Sequence, residues 1–199
     1  WKKKKIDKLD FSMGLFVIYF GTKKKYKNIA HHTIWMGKRY KGLLNDIFKN
    51  QILAEDFSLY LHRPTATDTK MAPKGCDCFY VLSPVPNLKA NIDWEKIGRD
   101  YEQKILKALD NTILPGLIKN LTLNFYMTPK DFENDYLTLN GSGFSISPIF
   151  KQSAWFRFHN RSENFKNLYF VGAGSHPGAG VPGVISSAKV LENILKNET

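Results

Sequence analysis

The sequence predicts an α+β or mixed α/β fold, and three observations carry that prediction. Strand-like and helix-like segments are interleaved along the 199 residues without strict βαβα alternation. Runs of period two, such as Leu121, Leu123, Phe125 and Met127, stand beside runs of helical spacing, such as Ile97, Tyr101, Ile105 and Leu109. Near the C-terminal end, a β-prone run over Asn167–Val171 leads into a glycine-rich stretch and then a helix-spaced run.

Taken in order, Gly14–Gly21 is a near-continuous apolar strand of the kind buried on both faces. His31–Trp35 is expected to pair with it, with Lys23–Lys25 in the hairpin turn between. Tyr40, Leu43, Leu44, Ile47 and Phe48 mark one face of a helix. Phe57, Leu59 and Leu61 alternate with Ser58, Tyr60 and His62, which predicts a half-buried strand. Residues 64–77 read as a long loop. Phe79–Leu82 is a further strand, ended by Ser83-Pro84-Val85-Pro86. Asp93 is placed to cap a helix that Pro115-Gly116 closes. Thr128-Pro129 reads as a second cap with a first-turn proline, and Gly141-Ser142-Gly143 breaks the chain again.

The stretch from Gly172 to Gly183 holds five glycines and two prolines, which no regular element tolerates. Pro182 suits a first helical turn, and Val184, Ala188, Leu191, Ile194 and Leu195 then fall on one helix face. Such a junction aims unpaired N–H groups and a positive helix end at one point, a site for an anionic or electron-rich ligand. Gly178, Gly180 and Gly183 spell G-x-G-x-x-G, but the preceding strand ends six residues earlier and no second strand follows. A dinucleotide fingerprint opens directly from its strand. The loop therefore reads either as a second contact on a cofactor or as an ordinary tight connection.

The net charge of +11 raises nucleic acid and anionic membrane as partners, beside the plainer reading of a lysine-rich solvated surface. No basic aromatic-interleaved helix or nucleic-acid module is present, so no nucleic-acid partner is expected. Cys76 and Cys78 imply no disulfide framework and point to a reducing, cytoplasmic compartment. No apolar run is long enough to span a bilayer. His31 and His32, adjacent on a strand, are expected on opposite faces, so no metal site is expected. Ser153 and His159 fit no nucleophile pattern, and no catalytic residue declares itself. The chain opens at Trp1 inside a charged segment and reads as a piece of a longer polypeptide.

The run Asn167–Val184 resembles the C-terminal signature of bacterial-type phytoene desaturases. Six further blocks resemble that family in its order: Leu15–Gly21, Ala30–Thr33, Ala54–His62, Ala72–Cys76, Phe79–Pro86 and Gln152–Arg157. The resemblance implies an FAD-dependent flavoprotein of the amine-oxidase-like superfamily. It implies a substrate domain built on a mixed sheet (residues 1–145), then the strand–glycine loop–helix of a Rossmann-type FAD domain (residues 146–199). The N-terminal FAD-binding half would lie outside this chain. The resemblance further implies FAD contacts from Gly172, Ala173, Gly174, Gly180, Val181, Pro182, Gly183 and Val184, with the N–H groups of Val181, Gly183 and Val184 toward the flavin ring. Phytoene or a related polyene is the implied substrate, neurosporene or lycopene the product, and quinone or oxygen the electron acceptor. Peripheral attachment to a membrane surface follows from the lipid-soluble substrate. Other FAD-dependent polyene desaturases or isomerases of the superfamily, and a non-catalytic membrane-binding fragment, are the alternatives.

Overall fold

The computed structural model describes residues 3–197, which form two compact units. Residues 14–141 make one, and residues 3–13 with 142–197 make the other. The strands are β1 (Gly14–Thr22), β2 (His32–Trp35), β3 (Leu59–His62), β4 (Asp77–Val85) and β5 (Leu121–Met127). The α-helices are α1 (Lys3–Ile6), α2 (Tyr40–Asn45), α3 (Trp94–Asp110), α4 (Leu117–Asn120), α5 (Pro129–Tyr136) and α6 (Val181–Lys196). The predicted α+β class holds, and every pairing in the sheet is antiparallel.

In the 14–141 unit the sheet runs β2-β3-β4-β1-β5. One face of β1 and β4 carries Phe16, Ile18, Phe20, Phe79 and Val81 into a core completed by Trp94, Tyr101, Ile105, Leu106 and Leu109 of α3. Phe16 meets the rings of Tyr101, Tyr126 and Trp94 at 5.0, 5.1 and 5.5 Å. Both sequence-predicted caps form. Asp93 accepts from the Lys96 N–H, and Thr128 and Asp131 make a reciprocal capping box at α5.

One expected pairing does not form. β2 is the sheet's edge and pairs with β3, whereas β1 lies between β4 and β5. A hairpin from β1 into β2 is prevented because the connecting chain is bound elsewhere. The Asp77 carboxylate accepts from the Tyr26 N–H at 2.7 Å, and Arg63 donates to the Tyr26 carbonyl while pairing with Asp77 at 3.3 Å. Lys24 donates to the Pro115 carbonyl at 2.7 Å. These bonds carry residues 23–31 past the end of β4 to the far edge.

The second unit draws in residues that the sequence reading grouped with 14–145. Ser12 N–H donates to Ser145, Ser147 N–H to Asp10, and Asp10 N–H to the Gln152 side chain. These bonds bring residues 10–12 beside 145–152. The strand expected over 167–171 is reduced to one bridge, Tyr169 with Arg161. The Leu168 carbonyl accepts from the Ser162 N–H and the Phe170 N–H donates to Asn160, a pairing with a segment too brief to build a ladder.

Candidate functional site

The glycine-rich segment ends in α6, whose first turn is Val181-Pro182-Gly183-Val184. The first donors of a helix have no intrahelical acceptor. Among the described residues, no hydrogen bond takes the N–H of Val181 or Gly183. Val184 differs from expectation: its N–H donates to the Gly180 carbonyl at 2.9 Å, closing the first helical turn, so it is not free for a ligand. Pro182 has no N–H and sits in the turn where none is needed.

Two glycines leave open space over the backbone. Gly172 (φ +113°) and Gly180 (φ +90°) adopt conformations that side chains disfavour, and a Cβ on either would meet nothing within 4 Å. Gly183 serves a different purpose. A Cβ there would stand 2.7 Å from the Gly178 carbonyl, so its missing side chain lets the loop fold back on its own helix.

Three polar side chains that sequence reasoning passed over hold this loop. Arg157, 1% exposed, donates from Nε and Nη2 to the Ala173 carbonyl at 3.0 and 2.7 Å. Its Nη2 also reaches Ile146 O and its Nη1 Gln152 O, at 3.1 and 3.2 Å. No carboxylate is among these partners, and burial pulls the guanidinium below its ordinary pKa. Asn160 donates to the carbonyls of Phe170 and His176. Ser187, fully buried on α6, accepts from the Gly172 N–H at 2.8 Å and donates to Val184 O. Ser187 lies within the helix-spaced run, but nothing in that spacing marks it. Beside the loop, Val171, Gly174 and Ser175 join Phe158, Phe165 and Leu168 around a cleft of about 430 Å³.

The 14–141 unit offers a separate apolar surface on the sheet face opposite α3. Register places Tyr19 between Tyr80 and Phe125, with ring separations of 5.9 and 4.9 Å. Leu123 and Phe125 are 61% and 52% exposed. Tyr19, Met71, Tyr80, Leu123 and Phe125 line a cleft of about 370 Å³. Burial is the main reason the Tyr80 phenol is pushed up to about 12, so that phenol is uncharged at neutral pH.

The two adjacent histidines are not on opposite faces. His31 precedes β2 and so escapes strand alternation, and its ring lies 4.3 Å from that of His32 and 4.6 Å from that of His62. Cys76 and Cys78 are both free.

Comparison with solved structures finds a similar fold. An oxidoreductase from Methanosarcina mazei aligns over 95% of this chain and 36% of its own, with a TM-score of 0.50 and 17% identity. No family model matches the chain. Curated relatives narrow the class. The chain is 49% identical, over 99% of its length, to the lycopene-forming phytoene desaturase of a Paracoccus species. It is 50% identical over 98% to the neurosporene-forming phytoene desaturase of Rhodobacter capsulatus. At 36% identity it matches a 4,4'-diapophytoene desaturase from Staphylococcus haemolyticus. It spans only 38–40% of these proteins. The chain belongs to the bacterial-type phytoene desaturases and corresponds to their C-terminal part.

Proposed function

We propose that this chain is the C-terminal, substrate-facing and flavin-contacting part of an FAD-dependent desaturase that converts phytoene to neurosporene or lycopene. The observation that carries this reading is the identity of about one residue in two, over nearly the whole chain, to proteins named for that reaction. The open aromatic sheet face supports it. A long hydrocarbon has no polar group to recognise, so its site must be apolar, and each buried CH₂ contributes about 0.8 kcal/mol. Tyr19, Tyr80, Leu123 and Phe125 supply such a surface.

The glycine loop fits a flavin by its donors and its open backbone. Gly172, Ala173 and Gly174 would pass the ribityl and pyrophosphate, with Gly180 leaving room beside them. The N–H groups of Val181 and Gly183 would hold the electron-rich edge of the ring, with the positive end of α6 behind them. Pro182 and Val184 would shape that turn through the backbone rather than donate. Arg157 keeps the Ala173 carbonyl turned inward, away from an anionic ligand. When bound, FAD would supply a two-electron acceptor for one hydrogen of a CH–CH pair as hydride, while the adjacent carbon releases the other as a proton. Quinone or oxygen would reoxidise it.

Peripheral membrane attachment belongs to the same reading, motivated by the net charge of +11 and an insoluble substrate. No helix among the described residues is long and apolar enough to cross a membrane.

A chimera tests the proposal. This chain replaces the matching two-fifths of the Rhodobacter capsulatus relative in cells that accumulate phytoene. A coloured polyene is the expected product. A folded, flavin-loaded chimera that leaves phytoene untouched would overturn the reading.

A further inference from the structure

We propose that His31, His32 and His62 bind one divalent transition-metal ion of the Zn²⁺ class, at the edge of the sheet. His32 opens β2, and His62 ends β3 directly opposite it in register. His31 stands one residue before β2, where its carbonyl accepts from the Arg63 N–H at 2.8 Å and fixes it beside His62. One ring nitrogen from each of the three lies within 4.8 Å of the others. His31 Nε2 and His62 Nε2 are 2.7 Å apart.

The surroundings suit neutral imidazole ligands. His31 Nδ1 bonds the Thr67 hydroxyl at 2.8 Å, and His32 Nδ1 bonds the Tyr60 hydroxyl at 2.6 Å. With those nitrogens carrying the hydrogen, the Nε2 lone pairs of both rings are left as ligands. Hydrogen-bonded outer nitrogens of this kind orient metal-binding histidines. His62 Nδ1 is buried and has no partner. No carboxylate belongs to the cluster.

The geometry is within reach of coordination. Zinc–nitrogen bonds of about 2.0–2.1 Å in a tetrahedral site set the nitrogens about 3.4 Å apart. The His31–His62 pair would open slightly and the His32 ring swing inward, both by side-chain rotation. Three ligands leave a fourth position for water. Because β2 is a four-residue edge strand, an ion held by His31, His32 and His62 would clip that edge to β3. The site stands apart from the flavin loop, while His62 also lines the apolar cleft beside Tyr80, 4.7 Å from its ring.

The test is titration of the tag-free protein with Co²⁺ and then Zn²⁺, in a Cys76→Ser, Cys78→Ser background that removes the thiols as ligands. One ion per chain is expected, with the visible absorption of four-coordinate Co²⁺ displaced by Zn²⁺, and a rise in melting temperature on binding. His32→Ala, an exposed position, and His62→Gln should each weaken binding at least about tenfold, the loss that even an outer-shell change can cause. His159→Ala should not. Absence of stoichiometric binding would overturn the site. So would affinity unchanged in His32→Ala, or affinity lost in His159→Ala.

Discussion

The two units are held together by different chemistry. In residues 14–141, apolar side chains from β1, β3, β4 and α3 close on one another, and the core is continuous. In the other unit, Phe11 and Ile146 are the buried apolar residues among those described, and the largest fully buried side chain is Arg157. Phe150, Trp155 and Val181, at 85%, 72% and 74%, are exposed instead. The contrast separates two ways of fixing a shape. A core fixes a shape by excluding water, and one element can be exchanged for another of similar volume. A loop fixed by donors on Arg157, Asn160 and Ser187 depends on particular atoms at particular carbonyls, and it leaves its own backbone accessible. The second way suits a surface that meets a ligand.

The sharpest way to break this comparison is to damage each unit at its centre. Phe16→Ala should cost about 3–5 kcal/mol in chemical denaturation, the range for emptying a well-packed aromatic site. A loss below about 1 kcal/mol would mean that the sheet's covered face is not what holds that unit.

Arg157→Leu is the counterpart. It preserves bulk but strips the donors from three carbonyls, and a hydrogen bond to a charged group contributes about 1.5–3 kcal/mol. About 3 kcal/mol of local stability should disappear, read as faster amide hydrogen exchange over Gly172–His176 with β1 and β4 unchanged. Equal slowing or speeding in both units would dissolve the distinction drawn between them.

Tyr101 offers a smaller, pH-dependent effect. Burial pushes its phenol up to about 12 against the opposing bond to Ser83, while an unfolded tyrosine ionises near 10. The folded value is the higher one, so the unfolded chain loses its proton first. Stability from this group is complete below pH ~10 and falls as pH rises toward ~12. Tyr101→Phe should cost about 1 kcal/mol at neutral pH, for the lost Ser83 bond, and should flatten the alkaline slope. An unchanged slope would assign alkaline unfolding to another group.

The same contrast explains what was legible in the sequence. Asp93, Thr128 and the alternation over Leu121–Met127 rest on local chemistry and periodicity, and the structure follows them. The partner of β2 rests on Arg63, Asp77 and the Tyr26 backbone, which meet only after folding. His62 joins His31 and His32 through strand register, which no local pattern records. In the loop, the glycines were visible and their reasons were not. Gly183 is small because of the Gly178 carbonyl, and Val184 spends its N–H inside the helix. Arg157 and Ser187 carried no signal, because a buried arginine and a helix serine look like surface residues in a sequence. The resemblance over six blocks reached further than any of these local arguments.

If the first turn of α6 faces a flavin as proposed, Val181→Glu in the desaturase chimera should reveal it. Val181 is exposed, so the change removes no core contact. An acidic side chain in a first helical turn contributes about 0.3–1 kcal/mol through the helix dipole, so the melting temperature should hold or rise slightly. The same charge set against the electron-rich edge and phosphates of FAD should expel it, with flavin absorbance per protein falling at least about tenfold, as a like charge in a desolvated contact costs several kcal/mol. A stable variant stripped of flavin is expected. A stable variant with its full complement of flavin would contradict it.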